Sequence, residues 1–150
     1  MHALRPAGEH RLLASAQGEI SPDSARRLLS LDLASVAADE IVVFNWLGGA
    51  GQAGSDHFAP RPYKHYRFEA PSIVAQVQLE ASGVVVTLSA QKPAFFVALE
   101  TDVAGRFEDN VVDLIPGRPI SLRFLPEDGL DAADLERTLA VRSLYGSYAG

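Results

Sequence analysis

The chain has 150 residues, 47% apolar and 21% charged, which suits one folded domain, or one domain with part of another attached, rather than a disordered polymer. Its formal charge of -6, with scattered basic residues and Arg26-Arg27 as their only adjacent pair, argues against nucleic acid or an anionic membrane as partner. The absence of cysteine removes disulfides, thiolate-bound zinc or iron–sulfur groups and thiol catalysis. The opening MHALRPAGEHRLLASAQGE lacks an apolar core of signal-peptide length, and no run approaches the ~20 residues of a membrane helix. A soluble chain, cytoplasmic by default, is the expectation.

Taken in order, residues 9–16 (EHRLLASA) form a short apolar-centred segment before Gly18, and Ser21-Pro22-Asp23-Ser24 is a turn-type cluster. The following ARRLLSLDLASVAADEIVVFNWL carries two signals. Asp23 or Ser24 offers a helix cap, and Ala, Arg and Leu favour helix. Leu29, Leu31 and Leu33 nevertheless alternate with Ser30 and Asp32, which is strand periodicity. We read strands here, with residues 34–40 as a connection and Ile41-Val42-Val43-Phe44 as a β-branched and aromatic strand. Past Trp46, LGGAGQAGSDHFAPRPYKHY is rich in Gly, Pro and small residues, and reads as a long loop or linker. The domain boundary is placed in it, with Tyr63-Lys64 entering the next unit.

From there the pattern is β. Ile73, Ala75, Val77 and Leu79 alternate with Val74, Gln76, Gln78 and Glu80; Ser82-Gly83 is a turn, and Val84–Ser89 a second strand. The run AFFVALE over residues 94–100 suits a strand in the middle of a sandwich, and segments 111–115 and 120–125 add two more. The tail is helix-compatible over DAADLERTLA and strand-compatible from about Arg137 to Leu144. We prefer the strand, since an antiparallel sandwich needs a partner on that edge. Strands separated by turn signals about every ten residues predict an all-β, immunoglobulin-like antiparallel sandwich.

No constellation makes a convincing active site. Gly49-Ala50-Gly51-Gln52-Ala53-Gly54 spells G-x-G-x-x-G after an apolar strand, but Pro60 and Pro62 interrupt the place where a phosphate-binding helix would begin. Ser55-Asp56-His57 has triad residue types, yet consecutive residues do not assemble a hydrogen-bonded relay. His2, His10, His57 and His65 lack zinc-ligand spacing, so neither metal nor cofactor is expected. Glu100, Asp102, Glu108, Asp109 and Asp113 cluster without the regular spacing of a calcium loop. We read them as corner chemistry: Asp109 and Asn110 bond their own backbone, Asn110 and Gly105 tolerate positive φ, and Pro116-Gly117 makes a turn. Phe44, Trp46, Phe58, Tyr63 and Tyr66 flank the glycine-rich stretch. Exposed, they would be a sugar-stacking platform; buried, they are packing, the reading we prefer.

The run AFFVALETDVAGRFEDN, followed by DLIPGRPI and RFLP, resembles the C-terminal immunoglobulin-like domain of glycoside hydrolase family 2 β-mannosidases. That family shows Ala-x-x-Val-x-Leu-Glu, then Gly-x-Phe-Ser-Asp-Asn, then Leu-x-Pro-Gly and a closing strand. Here Glu108 stands where Ser is usual, at a turn position. Tyr63-Lys64 resembles the junction into that domain, and residues 135–148 its last strand. The resemblance implies terminal strands of a preceding β-sandwich plus linker over 1–62 and a C-terminal sandwich over 63–150. It also implies a non-catalytic accessory region whose partners are the catalytic barrel and the preceding sandwich domains. The family's catalytic glutamates lie in a (β/α)₈ barrel, which 150 residues cannot hold beside these strands, and none is transferred here. Two other readings stand beside it. One is a carbohydrate-binding module for β-mannosides using Trp46, Phe58 and Tyr63; the other is a small hydrolase using Glu100, Glu108 or Asp109.

Overall fold

The computed structural model describes residues 1–49, 51–80, 83–127, 129 and 132–148. The chain divides into two units, Met1–Arg67 and Phe68–Gly150. In the first, strands β1 (His2–Leu4), β2 (His10–Leu12), β3 (Ile41–Leu47) and β4 (Ala53–Phe58) form one antiparallel sheet in the order β2-β1-β3-β4. Ala3, Leu4, Ile41, Val42 and Val43 are buried, with Tyr66 beside them. The β-branched run predicted from Ile41 therefore forms and extends to Leu47, pairing with β1 at one end and β4 along its length.

Three features depart from the sequence reading. First, β1 precedes the apolar segment in which β2 lies. Second, much of the expected loop after Trp46 is β4, so the glycines close a β-hairpin: Gly48 N–H donates to Gln52 O at 2.6 Å, and Gly51 at φ 76° donates to Gly48 O. Ala50 of the G-x-G-x-x-G run lies outside the described residues; Ala53 and Gly54 are in β4, which runs on to Phe58 where a phosphate-binding fold would begin a helix. Third, residues 25–32 take no regular structure, and Leu33–Ser35 form a 3-10 turn capped by the Asp32 carboxylate on Ala34 N–H. The alternation of leucines there finds no ladder partner.

In the second unit, β5 (Val74–Glu80), β6 (Gly83–Ser89), β8 (Gly105–Phe107) and β10 (Ile120–Pro126) form an antiparallel sheet in the order β5-β6-β10-β8. Strands β7 (Ala94–Glu100), β9 (Val112–Leu114) and β11 (Ala140–Arg142) form another in the order β11-β7-β9. Inward residues meet in register across the first sheet: Leu88 faces Ile120, Val86 faces Leu122 and Val84 faces Phe124. They join Ala94, Val97, Leu99 and Leu114 of the second sheet in one buried core. In β10 the period-2 sequence thus turns Leu122 and Phe124 to the opposite layer, while β6 buries Val85 as well as Val84 and Val86. Leu79, which the alternation places inward, is exposed at the end of β5. Ser82 of the predicted β5–β6 turn lies outside the described residues.

The AFFVALE strand is bulged. Ala94 pairs with Leu114 and Val97 with Val112, so two residues oppose one, and Phe96 takes φ 52°. The bulge explains how Ala94 and Val97, three residues apart, both reach the core while Phe95 is buried against Phe68 and Phe96 turns outward. The tail is helix, then strand. α1 (Ala132–Thr138) drives Leu135 fully into the core, β11 pairs with β7 over only three residues, and α2 (Leu144–Tyr148) ends the described chain. The preferred strand from Arg137 to Leu144 is accordingly shorter. It does take the β7 edge, as the missing-partner argument required, but Leu135 fills the sandwich end better from a helix.

Candidate functional site

Register decides which aromatics of the first unit can act together. Trp46 lies opposite Gly54, Phe44 opposite Asp56 and Val42 opposite Phe58, so Trp46, Phe44, Asp56 and Phe58 share one face of the β3–β4 ladder. His57 faces Val43 on the other side. Trp46 is 55% exposed and Phe58 43%, separated by about 13 Å along the strand. Gly54 gives the indole its seat: a Cβ there would lie 2.2 Å from the Trp46 ring. Tyr63, in a 3-10 turn over Tyr63–His65, is half-buried, and its hydroxyl meets His57 Nε2 at 2.5 Å with the rings edge to face. The structure therefore brings Trp46 and Phe58 onto one face and joins Tyr63 to His57, whose position belongs to the opposite one. Ser55, Asp56 and His57 alternate across the same strand, so the triad types do not converge.

The strongest electrostatic feature of this unit was not legible as a pair. Glu40 is the buried charged residue among those described, and Arg11 grips it with two donors, Nε to Oε1 at 2.9 Å and Nη2 to Oε2 at 2.7 Å. Ala37 N–H adds a bond to Oε2, and Arg11 Nη2 also reaches Ser35 O. Burial alone would raise the carboxyl's pKa; the Arg11 bonds, with the Ala37 N–H, outweigh it and hold Glu40 at about 2. The same bond raises the Arg11 guanidinium. This pair fastens β2 and the 33–40 connection to the start of β3. Nothing in sequence spacing ties position 11 to position 40; only the β2-β1-β3 order does.

In the second unit the acids behave as builders. Glu100 accepts from Arg142 Nε at 2.8 Å, across the β7–β11 pair, which raises the arginine's pKa. Glu108 lies 3.9 Å from Arg123, Asp113 Oδ1 accepts from Phe96 N–H at the bulge, and Asp109 Oδ1 accepts from Asn110 N–H. Asp102 is exposed. Asn110 does more than turn the chain: its Oδ1 accepts from Leu99 N–H and its Nδ2 donates to Leu99 O, both at 2.9 Å. The side chain stands in for a strand residue beside β7. The positive φ falls on Val111 (65°), not on Asn110. Gly105 has φ 148°, and a Cβ there would sit 2.5 Å from Leu125 O. Pro116-Gly117 forms a turn with Gly117 at φ 77°, closed by Arg118 N–H on Ile115 O. Among the described residues no group of three or more His, Asp or Glu is placed to hold a metal ion, and no helix is long and apolar enough to cross a membrane.

Two antiparallel sheets closed over one core make the second unit an immunoglobulin-like β-sandwich. A family model of the mannosidase Ig-fold domain matches residues 68–147, more than half of the chain, and the chain belongs to that family. It is also 38% identical over 64 residues to beta-mannosidase B of Thermothelomyces thermophilus, a match covering 42% of this chain and 7% of that enzyme. The matched stretch is thus a small part of a much longer polypeptide.

Proposed function

We propose that this chain is a non-catalytic accessory region of a β-mannosidase, serving the hydrolysis of terminal β-mannose residues by docking on the remainder of that enzyme, its catalytic barrel and preceding sandwich domains. The observation that carries the reading is the family match over 68–147 together with the small share of beta-mannosidase B that the chain spans. The acids support it: Glu100, Glu108, Asp109 and Asp113 are engaged in strand and corner bonds rather than paired across a cleft, as glycosidic bond cleavage requires. Assay of the purified chain on an aryl β-mannoside tests this. No turnover above buffer is expected; turnover lost in Glu108→Gln would overturn it.

A second reading, a carbohydrate-binding sandwich for β-mannosides, is favoured by one observation, the exposed Trp46 and Phe58 on a common strand face. Tyr63 would contribute only from beyond that face. Titration with mannobiose should then shift Trp46 fluorescence, and the shift should vanish in Phe58→Ala. An unchanged spectrum at millimolar sugar removes this reading.

A further inference from the structure

A sheet edge carries unpaired N–H and C=O groups that invite another chain, and soluble proteins guard such edges with short strands or charged side chains. Among the described residues, five of the six edge strands follow that rule. β2, β8, β9 and β11 have three residues each and carry Arg11, Arg106, Asp113 and Arg142, and β4 carries Asp56. β5 is the exception. It runs for seven residues, uncharged from Val74 to Leu79, and pairs with β6 in unbroken register. Every second residue turns its backbone N–H and C=O away from β6, and among the described residues no hydrogen bond takes these groups up. Val74 is 49% exposed and Leu79 70%.

We propose that β5 is a self-association edge, through which two copies of this chain pair antiparallel about a two-fold axis at Val77. The occupant follows from the strand's own sequence. That axis sets Gln76 opposite Gln78 of the second copy, Val74 opposite Glu80, Ala75 opposite Leu79 and Val77 opposite itself, so the whole of β5 is matched. Two amides that both donate and accept then face each other, the exposed leucine lies beside the smallest side chain of the strand, and no charge meets its like. The two Glu80 carboxylates end up about 20 Å apart, beyond a Debye length at physiological salt. An unrelated strand would have to match this uncharged edge by chance; a second copy matches it by symmetry. The pairing joins two β5-β6-β10-β8 sheets edge to edge, with main-chain bonds supplying the affinity. One strand pair covers less surface than a standard interface of ~800 Å² per partner, so the dimer is weak, with a dissociation constant between about 1 and 100 μM. The pairing goes beyond the accessory role and does not depend on it.

Sedimentation equilibrium of the 150-residue chain from about 1 to 500 μM tests this, alongside two double variants. The first, Gln76→Lys with Gln78→Lys, sets lysine against lysine across the axis; the second, Gln76→Lys with Gln78→Glu, sets lysine against glutamate. Gln76 and Gln78 are exposed, so both variants should keep the wild-type thermal melt, which circular dichroism checks. The expected result is a mass that rises from 16.1 kDa toward twice that value in the wild type and the second variant, and stays at the monomer value in the first. A wild type that remains a monomer throughout overturns the proposal. Association that survives in the first variant overturns it too, by placing the contact elsewhere. Association lost equally in both variants overturns the Val77 axis and the proposal with it.

Discussion

At the scale of single residues, two side chains make the clearest tests because each replaces something the backbone lacks. Asn110 presents its amide to Leu99 as a peptide group would, and removing it leaves an N–H and a C=O of β7 without their partner. Asn110→Ala should lower the unfolding free energy by about 1–3 kcal/mol in urea titration. Asn110→Asp should also destabilise, since it keeps the acceptor for Leu99 N–H and loses the donor to Leu99 O. Glu40 makes a prediction in pH. Its folded pKa of about 2 lies below the ordinary 4.5, so the unfolded chain binds the proton more readily. The stabilisation is complete above about pH 4.5 and drains away as pH falls toward 2. Thermal melts across that window should show this loss in the wild type and a flatter profile in Glu40→Gln. Arg11→Ala should lower the midpoint at neutral pH by leaving a buried carboxylate without its bidentate partner.

At the scale of elements, the two corner glycines that look alike in sequence differ in what surrounds them. Gly117 needs only its φ of 77°, with open space where a Cβ would go, so Gly117→Ala should cost about 1 kcal/mol. Gly105 needs both its φ and its closeness to Leu125 O and Phe124, so Gly105→Ala should cost at least about 3 kcal/mol and weaken the β8–β10 pairing. Leu135→Ala should cost about 2–5 kcal/mol by emptying the plug that α1 sets into the core. β5 and β10 were readable because their apolar residues recur every second position over seven residues, whereas β8, whose Gly105-Arg106-Phe107 reads as part of a corner, was not. Nor was β4: Ala53, Gly54, Ser55 and Asp56 have poor strand propensity, and only pairing with the strong β3 makes them a strand. The Phe96 bulge was hidden for the opposite reason, since an unbroken apolar run carries no phase to reveal a slip. For the tail, local propensity for helix and the edge argument for strand were both sound, and the chain satisfies them in succession.

At the scale of the whole molecule, the motif from Ala94 to Phe124 identified the family because its turns demand particular residues: Gly105 by close approach, Asn110 by its bonds to Leu99, Gly117 by its φ. The placement of Trp46, Phe58 and Tyr63 was less legible, because faces are set by strand register, and the register here comes from β4, whose sequence reads as loop. The family match over residues 68–147 and the small share of beta-mannosidase B that the chain spans carry the proposal of a chain that works as part of something larger. The most direct test of that claim is β-mannosidase activity in material purified through a C-terminal tag at the native gene. Aryl β-mannoside turnover co-purifying with a tagged polypeptide well above 16.1 kDa is the predicted result. A tagged product whose mass is that of the tag plus 16.1 kDa, with no co-purifying activity, would contradict it.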